Sequence, residues 1–240
     1  NDTYSLCNNY VKTIFEDSKG RLFIGTHNGV QMYNPATDKF SKKALLPNSK
    51  PFESNIIDII ERSNGELWVS GNILCTLEVK GEELYVKNID LPIPPFFCDF
   101  IVEDKDKNMW ISNEVNGIFR ISPGNKIKRY LNNESNLSIT DMKKDLLGNI
   151  YVGTIGKGLL KYSKSKDEFV EISNNTNDEL PIKTIYIDKK NNIYIGTDGK
   201  GLKTVSGSKQ SIYNKYINNN FFDGNKAKVH SILIDNAGNT

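Results

Sequence analysis

The chain has 240 residues, 38% of them apolar and 10% aromatic, with 31 lysines and arginines against 29 acids. A net charge of +2 excludes the basic footprint of a nucleic-acid binder, so no nucleic acid is expected as a partner. No apolar run approaches the length of a membrane helix, and no block of like charge marks an interaction tail.

The first predicted strand is Val11-Lys-Thr-Ile-Phe15, closed by a turn at Asp17-Ser-Lys-Gly20. Asp can accept hydrogen bonds from the turn's own backbone, and Gly accepts a positive φ. A second strand follows at Leu22–Gly25, then a loop at Thr26-His-Asn-Gly29. A third strand runs Val30–Tyr33, and a fourth begins at Phe40 after Asn34-Pro-Ala-Thr-Asp-Lys39.

The chain then repeats itself. Gly20-Arg-Leu-Phe-Ile-Gly-Thr26 returns as Gly65-Glu-Leu-Trp-Val-Ser-Gly71, Lys107-Asn-Met-Trp-Ile-Ser-Asn113, Gly148-Asn-Ile-Tyr-Val-Gly-Thr154 and Asn191-Asn-Ile-Tyr-Ile-Gly-Thr197, at intervals of 41 to 45 residues. A sixth copy starts at Gly238-Asn-Thr240. The turn aspartate recurs as Asp104, Asp145, Asp188 and Asp235, with Arg62 the exception. A period of this length with an aromatic in a short apolar run means a solenoid or a propeller.

The apolar runs are short, β-branched and aromatic, with turn residues between them and no sustained spacing of three and four, which favours a propeller over a helical solenoid. Runs such as Ile59-Ile60, Phe100-Ile-Val102 and Ile193-Tyr-Ile195 predict inner strands covered on both faces. Stacked sheets around an axis do this. The expected fold is an all-β propeller of four-stranded blades, with repeat cores near 11–44, 56–87, 98–130, 139–172, 182–216 and 229–240 of one domain, 1–240.

Alternating strands place the inter-blade connections and the loop between strands two and three on one face. Those connections, Ser41–Asn55, Asn88–Phe97, Leu131–Ser138, Ser173–Pro181 and Asn214–Lys228, are long and varied, as binding loops on a rigid scaffold are. The candidate ligand-binding residues on that face are Phe52, Phe96, Phe97, Asn113, Glu114, Lys157, Asp198, Lys200, Phe221, Phe222 and His230. His27, Asn28 and Asn116 join the same polar rim. Aromatic rings stack on sugar faces, and the polar groups can fix hydroxyls; the competing reading is that the phenylalanines fill gaps between blades, Phe97 foremost.

The units Ile182-Lys-Thr-Ile-Tyr-Ile-Asp188 with Asn192-Ile-Tyr-Ile-Gly-Thr197, Ile150-Tyr-Val-Gly-Thr154 with Gly158-Leu-Leu-Lys-Tyr162, and Val11–Thr26 with Tyr33-Asn-Pro-Ala-Thr-Asp-Lys-Phe40 resemble the two-component regulator propeller repeat. Ser70 and Ser112 depart from it where a glycine ends the second strand. The resemblance implies the extracytoplasmic sensor region of a bacterial hybrid histidine kinase, periplasmic, detecting oligosaccharides and regulating polysaccharide-use genes. It implies a seven-bladed ring, a neighbouring propeller or β-sandwich domain, and membrane contact only through other segments. Five repeats and the start of a sixth then read as part of a longer protein, whose uncovered end blades favour self-association, including a homodimer. Alternatives are a propeller scaffold for protein partners and a propeller lyase or hydrolase using His230.

No catalytic residue, metal or cofactor is expected. Cys7, Cys75 and Cys98 lack metal-ligand spacing, and the odd count leaves at least one thiol unpaired. Asp104-Lys-Asp-Lys-Asn108 lacks the later ligands of a calcium loop and reads as a hairpin turn. The glycines of Gly153-Thr-Ile-Gly-Lys-Gly158 and Gly196-Thr-Asp-Gly-Lys-Gly201 fall between two strands, so they read as turn glycines and not as phosphate loops.

Overall fold

The computed structural model describes residues 4–89, 91, 97–113, 117–132, 137–172, 180–205, 212–214 and 227–232. Each repeat forms one four-stranded sheet whose spatial order follows the chain, the blade of a β-propeller. The first blade holds β1 (Val11–Glu16), β2 (Leu22–Thr26), β3 (Gly29–Asn34) and β4 (Lys39–Phe40). The second holds β5 (Ile56–Glu61), β6 (Leu67–Gly71), β7 (Cys75–Lys80) and β8 (Glu83–Asn88). The third holds β9 (Ile101–Glu103), β10 (Met109–Asn113), β11 (Gly117–Ile121) and β12 (Ile127–Tyr130). The fourth holds β13 (Ser138–Lys144), β14 (Ile150–Ile155), β15 (Leu159–Ser163) and β16 (Glu168–Glu171). The fifth holds β17 (Ile182–Ile187), β18 (Ile193–Thr197), β19 (Leu202–Val205) and β20 (Ile212–Asn214). Among the described residues there is no helix.

The chain divides into two compact units. One comprises Asn1–Glu103, Lys107–Asn113 and Phe119–Lys128; the other comprises Asp104–Asp106, Glu114–Ile118 and Arg129–Thr240. In the first, β5 packs against β1 and β2; in the second, β17 packs against β13 and β14.

The turn aspartates cap as their chemistry predicts. Asp17 Oδ1 accepts the N–H groups of Lys19 and Arg21 at 3.0 and 2.8 Å. Asp145 does the same for Leu147 and Asn149 at 2.9 and 2.8 Å. Asp188 does so for Lys190 and Asn192 at 2.9 and 2.7 Å. Three residues on, Gly20, Gly65, Gly148, Lys107 and Asn191 all take a positive φ, so this corner needs a left-handed residue. Arg62 cannot accept such bonds. Its guanidinium pairs instead with Glu66 and Glu103 at 3.1 Å and stacks 5.1 Å from the Trp68 ring, while Asn64 Oδ1 accepts the Glu66 N–H at 3.1 Å. Asp104 Oδ1 accepts the Asp106 N–H at 2.9 Å, which makes this stretch a hairpin turn.

Burial on both faces is found in second strands of the blades and also in β9, whose three residues are all buried. All five residues of β6, β10 and β18 are buried, and each is an inner strand of its sheet. This corrects the reading of Ile59-Ile60: Ile59 is buried and Ile60 only half so. The physical reason is that successive side chains of a strand point to opposite faces: Ile59 lies inside the buried cluster with Phe52 and Ile56, while Ile60 only packs against the cluster of Trp68, Ile101 and Ile111.

Two further devices seat one blade on the next. A Cβ on Gly25 would lie 2.7 Å from Ile56 Cγ2, and one on Gly153 would lie 2.6 Å from Ile182 Cγ2. The strand-ending glycine therefore makes room for the first residue of the following blade. Val229 sits on Gly196 in the same manner. At Ser70 the contact becomes a hydrogen bond, its Oγ donating to Asp99 O at 2.8 Å, whereas Ser112 Oγ accepts the Phe100 N–H of its own blade at 2.9 Å. The second device is a bulge, since the register of β1, β5, β13 and β17 shifts around Lys12, Ile57, Thr140 and Lys183. A bulge re-aims a side chain.

Candidate functional site

The loop between the second and third strands is built by one recurring side chain. Thr26, Thr154 and Thr197 each turn a buried hydroxyl onto the loop's closing carbonyl, at 3.0 Å to Gly29, 2.8 Å to Gly158 and 2.7 Å to Gly201. The same hydroxyls accept the N–H groups of Asn28, Lys157 and Lys200 at 3.1, 3.1 and 2.9 Å. The loop is rigid at its base and presents its middle residues outward. Gly156, Gly158, Gly199 and Gly201 have positive φ and join adjacent antiparallel strands, so they are turn glycines.

In the first unit, this loop meets the chain that enters the blade. The His27 N–H donates to Tyr10 O at 3.0 Å, and the two rings meet edge-on at 6.5 Å. Tyr10 is 74% exposed. The sequence reading passed over it; its place just before β1, opposite the loop, is the signal that would have found it. Cys7 Sγ lies 3.4 Å from Thr26 Oγ1 and 3.6 Å from Asn28 O.

Phe52 is buried within the core of the first two blades, against the cluster of Val30, Ala44 and Ile56. It fills the gap between blades and is withdrawn from any stacking surface. Phe97 behaves in the opposite way, with 59% of its surface exposed. Asn113 is buried, and its amide donates to Phe97 O. That bond holds the carbonyl beneath an exposed ring, so Asn113 positions Phe97 and does not itself face solvent.

In the second unit, Asp198 lies between two lysines. Its carboxylate is 3.0 Å from Lys228 Nζ and 3.3 Å from Lys183 Nζ. The Lys228 ammonium foremost, helped by Lys183, holds this carboxyl below the ordinary aspartate value against the opposing effect of burial. Lys183 is the bulge residue of β17, which explains how an edge-strand side chain reaches this loop. Lys200 is half-buried on the same loop. Residues 227–230 lie alongside, since Gly201 N donates to Ala227 O and Val229 N to Thr197 O, both at 2.9 Å. His230 follows directly and is exposed. The structure thus places Asp198 and Lys200 on one loop, with Lys228 of the segment that leads to His230 paired to Asp198, while Lys157 is exposed on the loop of the fourth blade. Phe96, Glu114, Phe221 and Phe222 lie outside the described residues.

Among the described residues, no group of three or more His, Cys, Asp or Glu side chains could hold a metal ion. No helix among them is long and apolar enough to cross a membrane. Burial pushes the Cys75 and Cys98 thiols up to about 12, which leaves both protonated and inert at neutral pH.

Residues 5–28 match the family profile of the two component regulator propeller. No curated protein sequence matches the chain. The fold is shared with the extracellular domain of BT4673 from B. thetaiotaomicron, described as a hybrid two component system. The TM-score is 0.78 at 19% identity, over 98% of this chain and 32% of that one. The extracellular domain of BT3049 from the same organism, described likewise, gives 0.77 at 20% identity over 98% and 32%. Virginiamycin B lyase from Staphylococcus aureus gives 0.69 at 17% identity, over 91% of this chain and 73% of that one. The chain spans about a third of the length of the two extracellular domains.

Proposed function

We propose that these residues are a ligand-recognition part of the extracytoplasmic, periplasmic sensor region of a bacterial hybrid two-component histidine kinase, which detects an oligosaccharide and controls polysaccharide-use genes. The observation that carries this reading is the likeness, along 98% of the chain, to extracellular domains described as parts of such systems. Two features of the loops support a sugar as ligand. Tyr10 and Phe97 offer exposed rings, and the C–H face of a pyranose stacks on such rings. Asp198, Lys183 and Lys228 offer a charged group of fixed geometry that can order hydroxyls.

Binding would act through packing against a neighbouring propeller, a β-sandwich domain or a second protomer. A ligand shifts such an equilibrium only by preferring one arrangement. The test is a thermal-shift series against plant, host and microbial oligosaccharides, since a ligand of the folded state raises stability with the logarithm of its concentration over Kd. A saccharide whose effect disappears in Tyr10→Ala/Phe97→Ala or in Asp198→Ala supports the reading. Silence across the panel from a folded sample overturns the sugar and favours a scaffold for protein partners.

A further inference from the structure

The turns that join the first two strands of each blade are chemically alike except one. Between the capping residue and the positive-φ corner stand Ser18-Lys19, Ser63-Asn64, Lys105-Asp106 and Lys189-Lys190, but in the fourth blade Leu146-Leu147. Both leucines are 67% exposed. An apolar pair at a hairpin tip costs solvation with no gain in the fold, since neither side chain reaches a core.

Three observations say what covers them. First, the tip has no backbone donor left to satisfy. Leu146 N donates to Asn191 Oδ1 at 2.7 Å, Leu147 N and Asn149 N to Asp145 Oδ1 at 2.9 and 2.8 Å, and Gly148 N to Asp145 O at 3.0 Å. The N–H groups of such a tip can leave water without being stranded, which is the donor half of the condition that hydrocarbon imposes. Second, its flanks are cationic. A Cβ on Gly148 would lie 2.9 Å from the Lys105 Cβ, so that lysine lies along one side of the turn. The Asn191 bond fastens the turn of Lys189 and Lys190 to the other side. Lys144 precedes the tip; all four lysines are exposed. The neighbouring carboxylates are engaged: Asp145 and Asp188 face backbone N–H groups, and Asp106 pairs with Lys164 at 2.6 Å. Third, the exposed apolar part of the tip is two side chains, against the roughly 20–30 residues a side of a stable protein interface.

We propose that Leu146 and Leu147 insert into the headgroup region of an anionic lipid surface, with Lys105, Lys144, Lys189 and Lys190 as the electrostatic rim. Apolar side chains entering the interface beside lysines that face acidic headgroups are the two parts of reversible peripheral binding. This contact does not depend on a sugar ligand. It would hold the blade against a membrane by its short-turn side and leave the loops of the opposite side open.

The test is co-sedimentation of the 240-residue chain with vesicles of phosphatidylglycerol and phosphatidylcholine, beside vesicles of phosphatidylcholine alone. We expect binding to the anionic vesicles that weakens with added salt. It should fall about tenfold in Leu146→Ser/Leu147→Ser and similarly in Lys189→Glu/Lys190→Glu, with thermal midpoints unchanged because these side chains are exposed. In Leu147→Trp the emission should shift to the blue on adding anionic vesicles. No binding by the native chain, or equal binding by the serine variant, overturns the proposal. Self-association that the serine variant loses, without vesicle binding, would assign the leucines to a protein contact instead.

Discussion

Tyr130 and Asp167 are joined across two blades: the Tyr130 hydroxyl donates to Asp167 Oδ1 at 2.7 Å. The same oxygen accepts the Tyr162 hydroxyl at 2.6 Å, and the rings of Tyr130, Tyr162 and Phe169 pack against one another at 5.6 to 5.8 Å. Asp167 sits at the positive-φ corner of its hairpin, which aims its carboxylate back at both phenols. The first blade repeats half of this device, with Tyr33 donating to Asp38 at 2.8 Å and stacking on Phe40 at 5.3 Å.

Because two phenols share one carboxylate, removing it should cost more than removing either hydroxyl. Tyr130→Phe should destabilise the protein by about 1 to 2 kcal/mol, and Asp167→Ala by more, since it strands a buried hydroxyl. A double-mutant cycle in urea measures the coupling. Additive losses would show that the two residues act independently.

Phe52 is a core residue. Its replacement by alanine should cost about 3 to 5 kcal/mol, read from the denaturation midpoint. Phe97→Ala, at an exposed ring, should cost under about 0.5 kcal/mol. Equal losses in the two variants would refute the separation of plug from surface ring.

The strand-ending glycines are a packing requirement. Gly153→Val should destabilise by about 1 to 3 kcal/mol through overpacking against Ile182, whereas Ser70→Gly should cost only its hydrogen bond, about 1 kcal/mol. Pairing Gly153→Val with Ile182→Ala should recover part of the loss, which the same denaturation assay reads.

Acid should weaken the fold through its capping carboxylates. Burial alone would raise Asp17, Glu103 and Asp188, but bonds from Arg21 to Asp17, from Ser63 and Arg62 to Glu103, and from Asn192 and Lys190 to Asp188 win and hold all three low. A carboxyl lower in the folded than in the unfolded chain gives stability that is complete above the unfolded value. That stability is lost as pH falls through the folded one. Stability should therefore be flat near neutrality and decline below about pH 4.5, the ordinary carboxylate range. Asp188→Asn should shallow that decline in thermal midpoints; an unchanged slope would exclude Asp188 as a contributor.

The repeat, its strands and its turns could be read from the sequence because each is local. An aspartate three residues before Gly20, a run from Leu22 to Gly25 and a second loop closed by Thr26 need only their own neighbours to act. The period then required a stack of identical sheets, and the blades are four-stranded as that reasoning demands. What sequence could not decide was which of several similar side chains faces inward. Phe52 and Phe97 are the same residue type in equivalent kinds of loop, yet one is buried and the other exposed, because burial depends on the next blade's packing. Lys183 reaches Asp198 only because a bulge turns it, and bulge geometry arises from pairing between strands. The turn of Leu146 and Leu147 reads as an ordinary hairpin in sequence. Only the tertiary placement of Asn191 and Lys105 shows it with every donor satisfied and cations on both sides.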